Sequence, residues 1–247
     1  MTSRFTFAPI SAALLSALLL TACSGYRSAS RAPESETGAG RPNQAVLWVQ
    51  DSAEYRVALE QTYRFAGEQL AAQVGDREAG TWAVSMDADE TIISNLGYSL
   101  RRAHVGGLWT EESWHEWVQA REATAIPGAL GFIERVHALG GKIAVVTNRS
   151  VRDCPATRDN LDALGVPYDT ILCRGDDEAK DERWRQVEAG EGTGLEPLEI
   201  VMWIGDNIFD FPGMSQESRT AESAALEPFG RRYFLLPNPI YGSWESF

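Results

Sequence analysis

The chain has 247 residues, of which 44% are hydrophobic, 10% are aromatic and 23% are charged. This length and apolar content suffice for the core of one domain of roughly 200–250 residues without a disulfide scaffold, and they exclude a disordered protein. The formal net charge of −13 argues against a protein that binds nucleic acid by neutralising its phosphates. A small anionic substrate stays compatible with this charge, because salt screens charges that are more than about 8 Å apart.

Residues 1–22 have the layout of an export signal. Their apolar run of about 15 residues is shorter than the roughly 20 that a membrane-spanning helix needs. The run ends in Leu-Thr-Ala-Cys, which resembles the lipobox of bacterial lipoproteins. We therefore predict a lipoprotein signal peptide over 1–22 and lipidation of Cys23; the alternative is an ordinary cleaved signal with a chance cysteine.

Lipidation of Cys23 would place the protein in the cell envelope, where acyl chains contribute about 0.8 kcal/mol of membrane affinity per buried methylene. The membrane would then be contacted only through the lipid anchor. Ser24 after the cysteine resembles the signal for sorting to the outer membrane, facing either the periplasm or the surface.

Residues 23–43 are rich in Ser, Gly, Ala, Pro and Arg, and this composition predicts a flexible tether. Periodic sequence begins near Gln44. Apolar residues recur there at helical spacing, at Tyr55, Leu59, Tyr63, Ala66 and Leu70. We expect one amphipathic helix over about 44–74.

The remaining sequence alternates between predicted strands and predicted helices. The expected strands are 81–86, 142–146, 170–172, 200–204 and an edge strand at 232–236. The expected helices between them are 127–139, 156–164 and 181–189. Strands bridged by helices predict an α/β fold with a doubly wound parallel sheet, whose ligand site lies beyond the carboxyl ends of the strands.

Polar and charged residues that can bind a metal ion or a phosphate follow these strands. They are Asp87 and Asp89 after the first strand, Thr147 and Asn148 after the second, Asp206 and Asp210 after the fourth, and Lys180 before a helix. Carboxylates that are buried together without a partner cost several kcal/mol each, so this edge requires a cation. Oxygen ligands favour Mg²⁺ over Zn²⁺.

This set of side chains fits the hydrolysis of a phosphate ester. One carboxylate can attack phosphorus and form an aspartyl-phosphate. A carboxyl group two residues later can protonate the leaving oxygen and then deprotonate the attacking water. A lysine and a threonine hydroxyl can hold the charge of a tetrahedral dianion. Lys180 is one of only two lysines beside 20 arginines, which favours a specific role for it.

The order of these motifs resembles the haloacid dehalogenase (HAD) superfamily of phosphohydrolases: D-x-D-x-T over 87–91, a Thr after the second strand, a Lys, then G-D-x-x-x-D over 205–210. Longer stretches are similar to the class C (subfamily IIIB) acid phosphatases, also called 5′-nucleotidase lipoproteins. Among them are DADETIISN, WHEWVQAREATAIPGALGF, VTNRS, IGDNIFDF and LPNPIYGSWE. The resemblance covers about residues 44–247. It implies a HAD-like Rossmannoid core with a small helical cap insertion at about 95–126.

The resemblance also implies a role for each motif residue. Asp87 would be the nucleophile and a metal ligand, and Asp89 the general acid and base, with its backbone carbonyl on the metal. Asp206 would be a further Mg²⁺ ligand, and Asp210 would bond to the metal's waters or to Lys180. Thr147, Asn148 and Lys180 would bind the phosphoryl oxygens, whereas Glu90 is expected to take no part in catalysis and Thr91 to support the loop.

Each of these residues also has a purely structural interpretation. Aspartates after strands often cap helices, which is the alternative for Asp87, Asp89 and Asp210. A lysine such as Lys180, taken alone, is most often a solvated surface residue. We expect Arg149 and Arg183 to be structural ion-pair partners rather than phosphate ligands.

Aromatic residues of the predicted cap suggest what the leaving group is. We expect Trp114, with Tyr241 opposite it and Tyr98 nearby, to hold a nucleobase by stacking, which contributes about 1–3 kcal/mol per base. The predicted substrate is then a nucleoside monophosphate. The alternative is that these rings belong to the core, as we expect for at least one of Trp114 and Trp117, which share a helix face.

Two cysteines and three histidines complete the inventory. Cys154 and Cys173 follow the second and third predicted strands, and because an exported protein can oxidise them, we predict a disulfide. The histidines are scattered without metal-ligand spacing, which argues against a histidine phosphatase, and we expect His115 to face solvent.

Three functions compete at this point. The first is a Mg²⁺-dependent phosphomonoesterase of the bacterial cell envelope. The second is a catalytically silent surface lipoprotein that uses the same fold for binding or adhesion. The presence of every motif argues against it, because such a protein does not need the catalytic residues. The third is a dehalogenase, against which Asp89 argues because displacement of halide needs no proton donor. The sequence leaves the oligomeric state open.

Overall fold

The computed structural model describes residues 40–176 and 179–246. Its strands in chain order are β1 (Trp82–Met86), β2 (Ile93–Ser94), β3 (Thr124–Ala125), β4 (Lys142–Ser150), β5 (Thr170–Arg174), β6 (Glu199–Gly205) and β7 (Tyr233–Leu235). Its helices are α1 (Gln44–Asp51), α2 (Ala53–Val74), α3 (Leu96–His104), α4 (Glu111–Ala120), α5 (Ala129–Ala138), α6 (Cys154–Ala163) and α7 (Lys180–Ala189).

The main sheet has five strands in the order β5-β4-β1-β6-β7, and every neighbouring pair is parallel. The predicted α/β fold with a parallel sheet is therefore confirmed. The strand first in the sequence is central, between β4 and β6, so three carboxyl ends lie side by side at one edge of the sheet. A separate antiparallel ladder pairs β2 with β3.

The sheet is covered on both faces, as a parallel sheet requires. All five residues of β1 are buried, and they alternate between two apolar clusters. Trp82, Val84 and Met86 pack on the face that carries α2 and α5, whereas Ala83 packs on the opposite face with residues of α7. On that second face the Trp184 indole N–H donates to Ser85 Oγ at 3.0 Å, so β1 is held from both sides.

The prediction of a single helix over 44–74 is wrong, because the chain breaks at Ser52. The backbone of Ser52 is extended (φ −86°, ψ 137°). Its N–H donates to the Trp48 carbonyl and closes α1, and its hydroxyl accepts from Tyr55 N at 3.1 Å and caps α2. The apolar period continues across the break, which is why periodicity alone missed it.

Two helices, α3 and α4, lie between β2 and β3 and form the region predicted as a cap insertion at 95–126. Tyr98 and Trp117 are buried between these helices. His115 on α4 is partly exposed, with its side chain 28% accessible, and its Nδ1 is 2.5 Å from Asp153 Oδ1, at the start of α6. A hydrogen bond therefore joins α4 to the start of α6.

Cys154 and Cys173 form the predicted disulfide, with their Cα atoms 6.0 Å apart. Cys173 lies on β5, paired in register with Thr147 on β4, and Cys154 begins α6. The bridge therefore connects the start of the helix that follows β4 to the neighbouring parallel strand β5.

The predicted signal peptide over 1–22 and Cys23 lie outside the described residues, as does most of the predicted tether at 23–43. The first described helix, α1, begins at Gln44, where Asn43 Oδ1 accepts from Val46 N at 3.0 Å. In residues 40–176 and 179–246, no helix combines the length and the apolar character needed to cross a bilayer.

Candidate active site

The acidic residues after β1 and β6 meet because these strands are hydrogen-bonded neighbours. Asp87 N donates to the Ile204 carbonyl at 3.0 Å, which extends the pairing of β1 with β6 to the first aspartate itself. After β6 the chain turns tightly, and Asp210 folds back over Gly205. A Cβ atom at Gly205 would lie only 2.2–2.5 Å from the Asp210 side chain, so glycine is required there.

Asp87, Asp206 and Asp210 form a compact acidic cluster. One carboxylate oxygen from each lies within 4.8 Å of the other two. Burial and the neighbouring carboxylates raise the pKa of Asp206 well above its usual value. Burial, opposed by Lys180, raises the pKa of Asp87 to about 7. Three carboxylates this close fit a hard divalent cation, whose charge would allow all of them to ionise.

Lys180, the first residue of α7, lies between two of these carboxylates. Its Nζ is 2.5 Å from Asp87 Oδ1 and 2.6 Å from Asp210 Oδ1. The surface interpretation of this lysine is wrong, because Lys180 is only 6% exposed. Burial alone would lower the pKa of the ammonium group, but the two carboxylates outweigh it, so the pKa is raised and the group stays charged.

Thr147 and Asn148 lie on β4 where its pairing with β5 becomes irregular, and each offers a group to a ligand. The Thr147 hydroxyl accepts from Arg149 N at 3.1 Å, and its own hydrogen can be donated to a further partner. Arg183 donates to the Thr147 carbonyl and, at 2.8 Å, to Asn148 Oδ1. Because Oδ1 is occupied, the Asn148 NH₂ group is the part that can meet a phosphoryl oxygen.

Asp89 lies outside the acidic cluster of Asp87, Asp206 and Asp210. Its side chain is paired with Arg149, with Nη2 2.8 Å from Oδ1, as expected for a structural ion-pair partner. The two aspartates of the D-x-D motif therefore contact different basic side chains, Asp87 that of Lys180 and Asp89 that of Arg149.

Glu90, which we expected to have no catalytic role, is a buried carboxyl group at the centre of a hydrogen-bond network. It accepts from Asn95 N at 2.6 Å, from Asn95 Nδ2 at 3.0 Å and from the Tyr241 hydroxyl. Burial, with a smaller contribution from Asp89, raises its pKa to about 8. Its backbone is left-handed at φ 49°, which turns the chain after Asp89.

The three residues predicted to stack on a nucleobase are placed differently from one another. Tyr98 is buried, and its hydroxyl is 2.9 Å from Ser113 Oγ. The Trp114 ring packs edge-on against Tyr98, with centroids 5.2 Å apart, and lies 5.5 Å from the Arg149 guanidinium. Tyr241 reaches the site from the C-terminal segment and bonds to Glu90. Tyr98 is thus part of the cap core, whereas Trp114 is only partly buried.

A cavity of about 970 Å³ opens beside the phosphate-binding candidates Asn148 and Lys180. Among its lining residues are Val151, Arg152, Arg174, Phe209 and Met214. Phe209, half exposed, belongs to the short helix between Asp206 and Asp210. The cavity gives access to Lys180 from the side of the β4 and β6 loops.

Sequence reasoning missed Asn95, Asn238 and the central place of Glu90. Asn238 Nδ2 donates to Asp206 Oδ2 at 2.8 Å and fixes that carboxylate. Asn95 contacts Asp89, Glu90, Arg149 and Trp117. The motif stretches DADETIISN and LPNPIYGSWE contain these residues, but no spacing rule distinguishes an amide that faces the site from one in a turn.

The family model of the HAD superfamily, subfamily IIIB (acid phosphatase), matches residues 29–244. Among solved structures, the class C acid phosphatase from Bacillus anthracis superposes with a TM-score of 0.74 and 28% identity, covering 82% of this chain and 85% of that one. A structure of the class C acid phosphatase from Bacillus anthracis with tungstate bound gives a TM-score of 0.73 and 27% identity over the same shares.

Two plant proteins are among the curated relatives. Acid phosphatase 1 of Solanum lycopersicum is 28% identical over 190 residues, which are 76% of this chain and 69% of the relative. The stem 28 kDa glycoprotein of Glycine max is 26% identical over 157 residues, 62% of this chain and 57% of the relative.

The metal-free protein is expected to lose stability as pH rises from about 5 to about 8. The pKa of Asp87 is raised to about 7 and that of Glu90 to about 8, above their values in an unfolded chain. The folded state therefore binds more protons across this range, and its stability is lost as pH rises through the folded pKa values. Urea unfolding in EDTA should show a decrease of at least about 1 kcal/mol.

Glu90→Gln is the matched variant for this measurement, since it removes one carboxyl group with a raised pKa and keeps the size and shape of the side chain. It should reduce the pH dependence of the free energy of unfolding, while the pairs His115–Asp153 and His137–Asp169 are present in both proteins. If the free energy of unfolding in EDTA is constant or increases from about pH 5 to about pH 8, the pKa values of these carboxyl groups are not raised.

Proposed function

The chain belongs to the subfamily IIIB acid phosphatases of the HAD superfamily and is a phosphomonoester hydrolase, and we propose that it is a Mg²⁺-dependent 5′-nucleotidase of the bacterial cell envelope. The observation that carries the proposed chemistry is the buried arrangement of Lys180 between Asp87 and Asp210. A lysine ammonium and clustered carboxylates in one buried site can bind a phosphate dianion and a divalent cation together.

In the proposed mechanism Asp87 is the nucleophile. A carboxylate oxygen of Asp87 attacks phosphorus, and the bond from phosphorus to the leaving oxygen breaks. Asp89 gives its proton to that leaving oxygen, then accepts a proton from the water that hydrolyses the aspartyl-phosphate. Both steps return the two aspartates to their starting protonation states.

Three further residues hold the transferring group. Lys180 supplies a fixed positive charge next to the attacking oxygen, which its 2.5 Å contact with Asp87 supports. The free hydrogen of Thr147 and the NH₂ group of Asn148 supply two more donors. Such donors, positioned before the reaction, act most strongly in a site that excludes water.

Asp87, Asp206 and Asp210 would contribute to holding Mg²⁺, together with the Asp89 carbonyl. The ion would supply charge stabilisation for the phosphoryl oxygens. The raised pKa values of Asp87 and Asp206 support this assignment, because buried carboxylates in this number are costly without a cation. A structure of a relative with tungstate bound supports a tetrahedral oxyanion as ligand.

A nucleoside monophosphate is the proposed substrate because aromatic side chains flank the reacting aspartates. Trp114 lies over Arg149, the partner of Asp89, and Tyr241 is bonded to Glu90, the residue after Asp89. Trp114 therefore contacts the ion-pair partner of the proposed acid, and Tyr241 contacts the residue next to that acid. A base placed between them would gain stacking energy without needing a base-specific hydrogen bond.

Replacing Asp87 by Asn is expected to lower the hydrolysis of p-nitrophenyl phosphate by at least about 10⁴-fold, because the amide cannot attack phosphorus. EDTA should abolish wild-type activity, and Mg²⁺ should restore it. Asp76→Asn, an exposed site, is the matched control and should retain full activity. An active Asp87→Asn protein, or activity indifferent to EDTA, would contradict the mechanism.

Replacing Trp114 or Tyr241 by Ala is expected to lower kcat/KM for a nucleoside monophosphate by roughly 10-fold each, the loss of about 1.4 kcal/mol of stacking. Hydrolysis of p-nitrophenyl phosphate should change much less. Tyr241→Phe keeps the ring but removes the bond to Glu90, and Trp109→Ala, an exposed site, is the second control. Equal losses on both substrates would exclude nucleobase stacking.

The proposed location in the envelope depends on lipidation of Cys23. The disulfide between Cys154 and Cys173 supports it, since such bonds persist in oxidising compartments. The full-length protein should incorporate labelled palmitate in a bacterial host, and Cys23→Ser should abolish the label and release the protein from the membrane fraction. Equal labelling of the Cys23→Ser variant would refute the anchor.

A further inference from the structure

We propose that Arg149, together with Asn95, is a positioning residue that fixes the orientation of the Asp89 carboxyl group. This inference rests on the proposed role of Asp89 as general acid and base. It adds two residues to that step, neither of which contacts the substrate, and assigns Asp89 Oδ2 as the oxygen that exchanges the proton with the leaving group and the water.

Asp89 Oδ1 is saturated with donors. It accepts from Arg149 Nε at 2.9 Å and from Asn95 Nδ2 at 2.8 Å, and Arg149 Nη2 lies 2.8 Å away. Within the described part of the chain, Oδ2 has one longer hydrogen bond, from Arg149 Nε at 3.2 Å. Because Oδ1 is already engaged by Arg149 and Asn95, Oδ2 is the oxygen that is more available to a further partner.

Arg149 is itself held by the surrounding fold. Its side chain is 1% exposed, Nη1 donates to Thr157 Oγ1 at 3.2 Å and Nη2 donates to Asn95 Oδ1 at 3.1 Å. The Trp114 ring lies 5.5 Å from its guanidinium carbon. With its N–H groups directed at these partners, Arg149 is not arranged to bind the phosphoryl group.

Asn95 connects this ion pair to the cap and to Glu90. Its Oδ1 accepts from Trp117 Nε1 at 2.7 Å, and its backbone N–H donates to Glu90 Oε1 at 2.6 Å. Besides its bond to Asp89, the side-chain Nδ2 donates to Glu90 Oε2 at 3.0 Å, so contacts with Trp117 and Glu90 also hold the Asn95 side chain. The side chain of Asp89 is 15% exposed, whereas that of Arg149 is 1% exposed. Of this ion pair, Asp89 is therefore the residue that a substrate can reach.

The proton balance of the step is simple. As the Asp87 oxygen bonds to phosphorus and the leaving-group bond breaks, the proton on Asp89 Oδ2 passes to the leaving oxygen. In the second half, a water proton passes to Oδ2 as the water oxygen bonds to phosphorus, and the bond from phosphorus to the Asp87 oxygen breaks, which releases phosphate and the Asp87 carboxylate. A carboxyl group that rotates freely would present Oδ2 correctly only part of the time, so loss of Arg149 should impair proton transfer specifically.

The test compares two leaving groups on the Mg²⁺-loaded enzyme. An alkyl phosphate needs protonation of its leaving oxygen, whereas p-nitrophenolate leaves readily without it. We expect Arg149→Gln to lower kcat/KM about 100-fold for an alkyl phosphate and less than about 5-fold for p-nitrophenyl phosphate. Arg121→Gln, an exposed arginine that pairs with Asp159, is the matched control and should change neither value.

A double-mutant cycle with Asp89→Asn separates this inference from the proposed function. If Arg149 acts through Asp89, Arg149→Gln should have little further effect once Asp89 is replaced. If Asp89→Asn lowers kcat/KM equally for the alkyl phosphate and for p-nitrophenyl phosphate, and so shows no bias between leaving groups, the proposed acid role of Asp89 is wrong. If Asp89→Asn shows the bias and Arg149→Gln lowers both substrates equally, the positioning role of Arg149 is wrong.

Tungstate binding, measured by calorimetry, supplies a readout that does not depend on turnover. Its Kd should stay within about 3-fold in Arg149→Gln, since the proposal excludes contact between Arg149 and the anion. A Kd weakened more than 10-fold would make Arg149 a phosphate ligand and overturn the proposal. Should Arg149→Gln not fold, Arg149→Lys, which keeps the charge but not the paired N–H donors, is judged by the same criteria.

Discussion

The contact on which the site depends is the buried lysine between two carboxylates. Lys180 Nζ lies within 2.6 Å of both Asp87 and Asp210, and all three residues are buried. Removing one charge from such a group leaves the others unpaired in a medium of low dielectric, which is costly. The geometry of the neighbouring loops follows from this constraint: α7 must begin at Lys180, and the turn after β6 must bring Asp210 back over Gly205.

Two aspartates separated by a single alanine acquire different chemistry from their surroundings. Asp87 faces a lysine and two further carboxylates, an environment suited to a nucleophile that shares a metal. Asp89 faces Arg149 and Asn95, away from the acidic cluster of Asp87, Asp206 and Asp210. Different environments for paired carboxyl groups are a general means of assigning separate roles in acid–base catalysis.

Polar contacts hold α3 and α4 to each other and to the neighbouring elements of the fold. Trp117 donates to Asn95, and His115 pairs with Asp153, which precedes the disulfide-bonded Cys154. The sequence did not indicate the partners of His115 and Glu90. His115 contacts Asp153, 38 residues away, and Glu90 accepts from Tyr241, 151 residues away. Local pattern cannot reveal such distant partners.

The sequence by itself determined the parallel α/β fold, the order of its motifs and the edge of the sheet where they meet, because hydrophobic period and strand–helix alternation are local properties. It also indicated that Asp87 and Lys180 belong together, through motif order. Only the tertiary structure decided that Lys180 bridges Asp87 and Asp210, that Arg149 and Asn95 hold Asp89, and that Glu90 is buried. Those outcomes depend on which side chains are buried together away from water. The free energy of a buried charge is determined by all of its neighbours, which local sequence does not specify.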